Sequence, residues 1–314
     1  MKGAAPALRL QAGFALPPVL DARGGSVVAV IAPAGPVADA SAVLPAVQAL
    51  YARHGHRARL HPGCGVNTGY LAGDDDLRLA DLHAALADPE VAAIHCLRGG
   101  YGAMRLLDRI DPALVRQARK PLIGYSDITA LHALWLQQGI TCIHAPMPAS
   151  DLILPGRDAD EAALFALLHQ GLAGGAAVDA GAALATDSIA LRYPGRAAGR
   201  LIGGNLSLVA ALLGTPWAVP VQGAILFLED VSEQVYRVDR LLTQLRLAGV
   251  LDAAAGFVIG SFTEGEAPLA LLQQTLLPIC QRHGKPLLSG WPAGHGTPNR
   301  PLLLGLPVVL DVPG

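Results

Sequence analysis

Residues 120–135 read KPLIGYSDITALHALW, a stretch that predicts a buried strand, a short turn and then a helix. Ser126 lies in the turn. In an open α/β sheet such a turn projects into the crevice at the carboxyl ends of the strands, where ligands bind. Two interpretations of Ser126 are open: a residue that caps the helix, or a nucleophile. The stretch resembles the G-x-S-x-G nucleophile elbow in part, because Ile128 stands where the last glycine is expected.

Strands and helices alternate on both sides of this stretch. The alternation predicts an α/β fold whose N-terminal domain, residues 20–150, is a Rossmann-like, doubly wound parallel sheet. Strands are predicted at 26–35, 57–62, 91–97, 121–124 and 139–146, and helices at 41–54 and 76–88, the latter with Asp76 as a possible N-cap.

The periodicity fades after residue 150. Residues 151–185 are rich in Pro, Gly, Asp and Ala with one short helical pattern at 160–170, and we interpret them as a linker. Residues 186–314 mix strand and helix patterns and predict a smaller C-terminal α/β domain. Its strands are expected near 195–204, 224–230, 256–262 and 304–312, and its helices near 205–214, 237–249 and 268–283.

Composition excludes several classes of protein. The chain is 52% hydrophobic and 15% charged with a formal net charge of −2, and it has no long basic run that would track nucleic acid. No segment approaches the roughly 18 apolar residues that span a bilayer. The four cysteines lack C-x-x-C spacing, which argues against a zinc site or a disulfide framework. Arg9 and Gln11 interrupt the apolar N-terminal run, so we expect a cytoplasmic protein without an export signal.

A serine nucleophile needs a base and a group that orients the base. Among the ten histidines, His295 stands apart because it lies between two glycines in the Pro/Gly-rich segment GWPAGHGTPNRP, residues 290–301. A surface turn is the alternative interpretation of this segment. Glu229 closes the apolar strand AILFLED and is the candidate acid, while strand alternation turns Asp230 the other way, to cap the following turn.

The segment RGGYG, residues 98–102, follows another predicted strand. Its glycines allow a turn to present bare backbone N–H groups, as an oxyanion hole requires. A phosphate cradle is the rival interpretation, but neither the P-loop motif nor the dinucleotide-binding glycine motif occurs there.

Five segments together resemble the LD-carboxypeptidases, a family of serine peptidases also called muramoyltetrapeptide carboxypeptidases. The segments are AGDDDLRLADLHAALADPEVAAIHCLRGGYGAMRLL, KPLIGYSDITALH, GRLIGGNLSLVAALLGTPW, FLEDVSEQVYRVDRLLTQL and GHG, in order over residues 25–312. The resemblance implies that Ser126 is the nucleophile, that Glu229 and His295 complete a triad, and that the amides of Gly100 and Asp127 form the oxyanion hole. It further implies that the triad assembles in the cleft between the domains of a cytoplasmic homodimer, with no metal or cofactor.

The family reaction removes the terminal D-alanine of a murein tetrapeptide. Candidate substrate contacts are Asn205, Arg98 and Tyr101, with Arg237 as a further possibility; each has a structural hydrogen-bonding role as its alternative. Residues 180–195 hold no long insertion of the kind that carries substrate-selecting aromatic residues in a relative acting on microcin C. Two other functions remain open: hydrolysis of a microcin C-like acyl-nucleotide amide, and non-catalytic binding of a peptide or anion.

Overall fold

The computed structural model describes residues 5–178, 191–263 and 268–314, which form two units. The N-terminal unit comprises residues 17–171, and the C-terminal unit comprises the residues up to 16 together with those from 172 onwards. The α/β fold with two domains is confirmed. The N-terminal segment of the chain joins the second unit, which the sequence patterns do not predict.

The elements of the N-terminal unit alternate along the chain. Its strands are β2 (Val27–Ile31), β3 (Arg57–Leu60), β4 (Val91–Cys96), β5 (Leu122–Gly124) and β6 (Cys142–His144), and its helices are α1 (Ala40–Arg53), α2 (Asp75–Ala87), α3 (Pro112–Ala118), α4 (Thr129–Gln137) and α5 (Asp158–Gln170). In the C-terminal unit the strands are β1 (Ala7–Leu10), β7 (Arg192–Tyr193), β8 (Gly195–Asn205), β9 (Ile225–Val231), β10 (Gly256–Thr263), β11 (Leu287–Ser289), β12 (Leu302–Leu304) and β13 (Pro307–Val312). The helices of that unit are α6 (Leu206–Ala211), α7 (Val235–Leu247), α8 (Val250–Ala253) and α9 (Leu269–His283).

The strands of the N-terminal unit lie in the order β6-β5-β4-β2-β3, and every pairing among them is parallel. All five residues of β2 are buried, as the uninterrupted apolar run predicts for a strand covered on both faces. The carboxyl ends of β5, β4 and β2 are neighbours, so the turns that follow these strands meet at one edge of the sheet. Among the described residues, no helix combines the length and apolarity needed to traverse a lipid bilayer.

The N-cap of helix α2 lies two residues earlier than its pattern indicates. Its N-cap is Asp74, whose side chain accepts the Leu77 N–H at 2.8 Å, and Asp76 lies inside the first turn. Three consecutive aspartates make the position of the cap ambiguous from the sequence.

The predicted linker contains a helix that belongs to the N-terminal unit. In α5 the Phe165 ring stacks on the His54 ring at a centroid distance of 3.6 Å, and Glu161 accepts a hydrogen bond from Arg53 Nε at 2.7 Å. The part of the linker from residue 179 onwards, and with it the start of the 180–195 segment, lies outside the described residues.

The sheet of the C-terminal unit is mixed, in the order β1-β13-β8-β9-β10-β11-β7. Strands β8, β9, β10 and β11 run parallel, and Asn205 at the end of β8 is in register with Glu229 near the end of β9. Strand β1 pairs antiparallel with β13, with Leu8 opposite Leu310. The sequence patterns do not predict this pairing between the first and last strands.

We expect the Leu8→Ala substitution to lower the free energy of unfolding by about 2–5 kcal/mol, because the leucine is 1% exposed and its loss leaves a cavity beneath β1. The control is Arg9→Ala, which changes the next, exposed side chain of the same strand and is expected to alter stability by less than about 0.5 kcal/mol. Urea unfolding measures both. Equal stabilities of the two variants would contradict the role of β1 in the core.

Candidate active site

Ser126 follows strand β5 and has a left-handed backbone, with φ of 63°. It is the first residue of a short 3₁₀ turn, Ser126–Ile128, that leads into α4. The N-cap residues of these two segments are Tyr125 and Ile128, so the interpretation of Ser126 as the helix cap is not supported. A left-handed backbone costs a residue other than glycine about 1–3 kcal/mol, and a nucleophile elbow imposes this same strain on its serine.

The RGGYG turn lies beside the serine. A Cβ atom on Gly99 would stand 3.0 Å from Ser126 Cβ and 3.2 Å from Ser126 Oγ, which is tight, so glycine favours this close approach of the backbone to the hydroxyl. The Gly99 carbonyl accepts the N–H of Gly35, in the loop after β2, at 3.1 Å. Gly100 follows with φ of 119°, a conformation that favours glycine.

Asp127 is buried behind this turn. Its carboxylate accepts the Ala103 N–H at 2.8 Å. Burial raises the pKa of Asp127 from its usual 3.8 to about 6, while the hydrogen bond from Ala103 and the positive charge of Arg78 oppose the rise. The Asp127 side chain therefore ties the residue after the serine to the end of the RGGYG turn.

In the C-terminal unit, Glu229 and His295 form a hydrogen-bonded pair. The distance from His295 Nδ1 to Glu229 Oε2 is 2.7 Å, and the Glu229 side chain is fully buried. With the carboxylate ionised, Nδ1–H is the donor, which leaves the lone pair on Nε2 to accept a proton. The neighbouring Asp230 points away, as alternation predicts, and accepts hydrogen bonds from Asn205, Ser207 and Val231.

The loop that carries His295 is held to the edge of β10. The Ser261 N–H donates to the Ala293 carbonyl at 3.0 Å, and Ser261 Oγ accepts the Gly296 N–H at 2.9 Å. The buried side chain of Asn299 accepts the Gly294 N–H at 3.0 Å. These bonds fix the backbone on both sides of the histidine, which contradicts the interpretation of the segment as a simple surface turn.

Gly294 is required by space as well as by conformation. Its φ is 113°, and a Cβ atom there would lie 2.6 Å from Glu229 Oε2 and 2.6 Å from Ser261 Oγ. The absence of a side chain lets the loop lie directly against the buried carboxylate.

The predicted substrate-binding residues have structural contacts of their own. Asn205 is the N-cap of α6: it accepts the Leu208 N–H at 3.2 Å and donates to Asp230 at 2.8 Å. Arg98 donates to the Pro36 carbonyl at 2.9 Å, and Arg237 pairs with Glu233.

Tyr101 differs from these three because it is 52% exposed, with its ring 5.7 Å from that of Tyr70. As substrate contacts, all four residues stay predictions.

Sequence reasoning missed the residues that hold the two loops. Ser261 follows the apolar run of β10, which is the parallel neighbour of β9. A polar residue at the carboxyl end of such a strand is a pattern that could have indicated a contact with the site. Arg78 interrupts the buried face of α2, which also carries Leu82 and Leu86. Within residues 5–178, 191–263 and 268–314, no group of three or more His, Cys, Asp or Glu side chains is arranged to hold a metal ion.

Comparison with known proteins gives matches over both units. Residues 28–145 match the model of the LD-carboxypeptidase N-terminal domain, and residues 198–310 match that of the C-terminal domain. A probable murein peptide carboxypeptidase of Bacillus subtilis is 36% identical, with 91% of this chain and 89% of the relative covered. The murein tetrapeptide carboxypeptidase of Pseudomonas aeruginosa is 34% identical, with 90% and 92% covered.

A solved structure of the microcin C7 self-immunity protein MccF, in complex with aspartyl sulfamoyl adenosine, has a TM-score of 0.78. It covers 96% of this chain and 98% of its own, at 20% sequence identity. At that identity the likeness shows a shared fold alone.

Asp127 should make stability depend on pH. Between about pH 4 and pH 6 the folded state holds a proton on Asp127 that the unfolded chain has released, so the free energy of unfolding falls as the pH rises through this window. A shift of about two pKa units corresponds to roughly 3 kcal/mol. The Asp127→Asn variant cannot titrate, so its stability should lack this part of the slope in urea unfolding from pH 4 to 8. Parallel pH profiles of the two proteins would count against the raised pKa.

The Gly294→Ala substitution should break the Glu229–His295 contact, since the added Cβ atom overlaps Glu229 Oε2. We expect loss of the downfield proton resonance of His295 Nδ1–H and a loss of about 1–3 kcal/mol in stability from the strained backbone. Gly65→Ala is the control, because the nearest atom to its Cβ is Leu44 Cδ1 at 3.9 Å. Persistence of the resonance in the Gly294 variant would show that the loop tolerates a side chain.

Proposed function

Because the chain belongs to the LD-carboxypeptidase family, we propose that it is a serine carboxypeptidase that releases the terminal D-alanine from murein tetrapeptides. The observation that carries the proposal is the 2.7 Å hydrogen bond from His295 to the fully buried Glu229. This pair is an oriented general base of the kind that activates a serine. Relatives named for murein peptides, at 34–36% identity over about nine-tenths of the chain, support the substrate class.

Ser126 is the nucleophile in this proposal. Its left-handed turn at the end of β5 holds the hydroxyl at the carboxyl edge of the sheet. A serine hydroxyl attacks a carbonyl carbon only when a base removes its proton. The proposal therefore requires Ser126 of the N-terminal unit and His295 Nε2 of the C-terminal unit to meet during the reaction.

Glu229 orients the base and stabilises its charge. When His295 takes the proton from Ser126, the imidazolium lies 2.7 Å from a carboxylate that is shielded from water, where electrostatic attraction is stronger than in solvent. His295 then donates the proton to the leaving amine of D-alanine. Water attacks the acyl-enzyme by the same route and releases the tripeptide.

The oxyanion of each tetrahedral intermediate accepts hydrogen bonds from the backbone amides of Gly100 and Asp127. Support for this assignment comes from the close approach of the RGGYG turn to the Ser126 hydroxyl. Backbone donors that are fixed before the reaction stabilise the developing charge without reorganisation. The wider proposal, taken from the family resemblance, is a cytoplasmic homodimer in which Asn205, Arg98 and Tyr101 contact the peptide.

Ser126→Ala should abolish release of D-alanine from a murein tetrapeptide while leaving the fold intact, since the substitution removes only the attacking oxygen. The measurement is D-alanine produced per enzyme, with circular dichroism as the check on folding. Ser41→Ala is the matched control, because Ser41 is an exposed serine at the start of α1. D-alanine release by the Ser126 variant at the wild-type rate would refute the nucleophile.

The same assay decides between substrates. We expect the wild-type protein to cleave the tetrapeptide and to leave an acyl-sulfamoyl nucleotide conjugate largely intact. Cleavage of the conjugate alone would replace the murein proposal with the acyl-nucleotide one. Turnover of neither substrate, with no labelling of Ser126 by a fluorophosphonate, would favour a binding protein.

A further inference from the structure

The peptide bond between Gly102 and Ala103 is held at both of its polar ends by buried charged side chains. Arg78 Nη1 donates to the Gly102 carbonyl at 2.9 Å. Asp127 Oδ2 accepts the Ala103 N–H at 2.8 Å. Since the carbonyl and the N–H belong to one planar group, the two contacts fix the orientation of the whole peptide unit.

Both charged side chains are buried, Arg78 at 1% exposure and Asp127 at 3%. Removing charges from water costs several kcal/mol for each ion unless hydrogen bonds and opposite charges compensate. Arg78 is compensated by two backbone carbonyls and by Asp75, which also binds Arg105. A neutral residue at this position would avoid the cost of burying a charge. The hydrogen bonds of Arg78 therefore call for an explanation other than filling space.

Arg78 also reaches the loop after β2. The same Nη1 atom donates to the Pro33 carbonyl at 2.5 Å. Two residues further on, the Gly35 N–H donates to the Gly99 carbonyl at 3.1 Å. One guanidinium therefore fixes the end of the RGGYG turn directly and its beginning through the neighbouring loop.

Gly102 is shaped for this contact. Its φ is 126°, and a Cβ atom there would lie 2.8 Å from Arg78 Nη1 and 2.5 Å from Leu71 Cδ2. Any side chain at this position would push the guanidinium away from the carbonyl.

We propose that Arg78 is a positioning residue, which together with the Asp127 carboxylate holds the RGGYG turn so that the Gly100 N–H points at the developing oxyanion. Gly100 lies between two fixed points, the Gly99 carbonyl on one side and the Gly102–Ala103 peptide on the other. This inference rests on the proposed function, because it assigns Arg78 a task only if Gly100 is an oxyanion donor. Arg78 itself touches neither the substrate nor the reacting atoms.

The test uses two substitutions in the full chain, Arg78→Met and Arg78→Lys. Loss of one oxyanion donor costs about 10²–10³-fold in kcat, and a small misplacement about 10²-fold. We expect kcat of Arg78→Met to fall by about 10²-fold with KM within about threefold, because the donor acts on the transition state and not on the bound peptide. Arg78→Lys should lose about tenfold, since an ammonium is a single point that cannot serve both loops and Asp75.

Lys120→Met is the matched control. Lys120 is a buried cation that donates to the Ala85 and Leu86 carbonyls, both at 2.8 Å, at the opposite end of the helix that carries Arg78. It should lose stability as Arg78→Met does but keep its kcat. Assays run well below the unfolding temperature of every variant, so that a purely structural role of Arg78 leaves kcat unchanged.

A second readout is the rate at which a fluorophosphonate labels Ser126, because the phosphoryl oxygen occupies the same donors. Labelling should slow in both Arg78 variants and not in Lys120→Met. A folded Arg78→Met protein with kcat and labelling rate within threefold of wild type would overturn the inference while leaving the proposed function intact. Should Arg78→Met fail to fold, a wild-type kcat in Arg78→Lys overturns it. If the fluorophosphonate labels the wild-type protein but the protein does not cleave the tetrapeptide, the proposed substrate is wrong. The labelling rates of the variants then decide whether Arg78 positions the turn.

Discussion

The buried carboxylate of Glu229 constrains the loop that carries His295. An ionised carboxylate that is fully buried must have hydrogen-bond donors, and His295 Nδ1 supplies one at 2.7 Å. The partner comes from a loop about 65 residues further along the chain, so that loop must approach the strand very closely. Gly294 permits the approach, and Ser261 and Asn299 hold the backbone on either side. The glycine before the histidine is therefore required by the contact with the buried carboxylate.

The N-terminal unit also holds a glycine-rich turn, RGGYG, with two buried charged side chains, those of Arg78 and Asp127. Ser126 is half-buried and has a strained, left-handed backbone, and the RGGYG turn beside it contains three glycines, whose backbone conformation is little restricted. The backbone N–H groups of such a turn point in a defined direction only when the neighbouring carbonyl and N–H groups are hydrogen-bonded to other parts of the protein. Arg78 and Asp127 perform this task from the interior. In both units a glycine-rich loop is held in place by hydrogen bonds to polar side chains of neighbouring elements.

Local patterns predicted the parallel sheet of the N-terminal unit well, because β2, β4, β5 and β6 are buried, largely apolar runs with a glycine or proline at or within a few residues of their ends. Alternation along β9 also predicted that Glu229 and Asp230 face opposite ways, and their hydrogen bonds agree. The pairing of β1 with β13 was beyond such reasoning, since it joins residues about 300 positions apart and depends on packing alone. The contacts of Arg78 could not be predicted for a related reason. The sequence shows a charged residue on a helix face that is otherwise apolar, but it does not show which backbone carbonyls lie near that residue.

The pairing of β1 with β13 also determines when, during translation, the sheet of the C-terminal unit can be completed. A ribosome emits the chain from its N-terminus, and domains generally form as their residues emerge. Residues 17–171 include strands β2 to β6 and helices α1 to α5 of the unit that carries Ser126. The unit that carries His295 is different, because β1 joins its sheet through β13, which ends at Val312. The nascent polypeptide therefore carries Ser126 long before the sheet that supports His295 is finished, and the first strand made enters that sheet only when the last has been made.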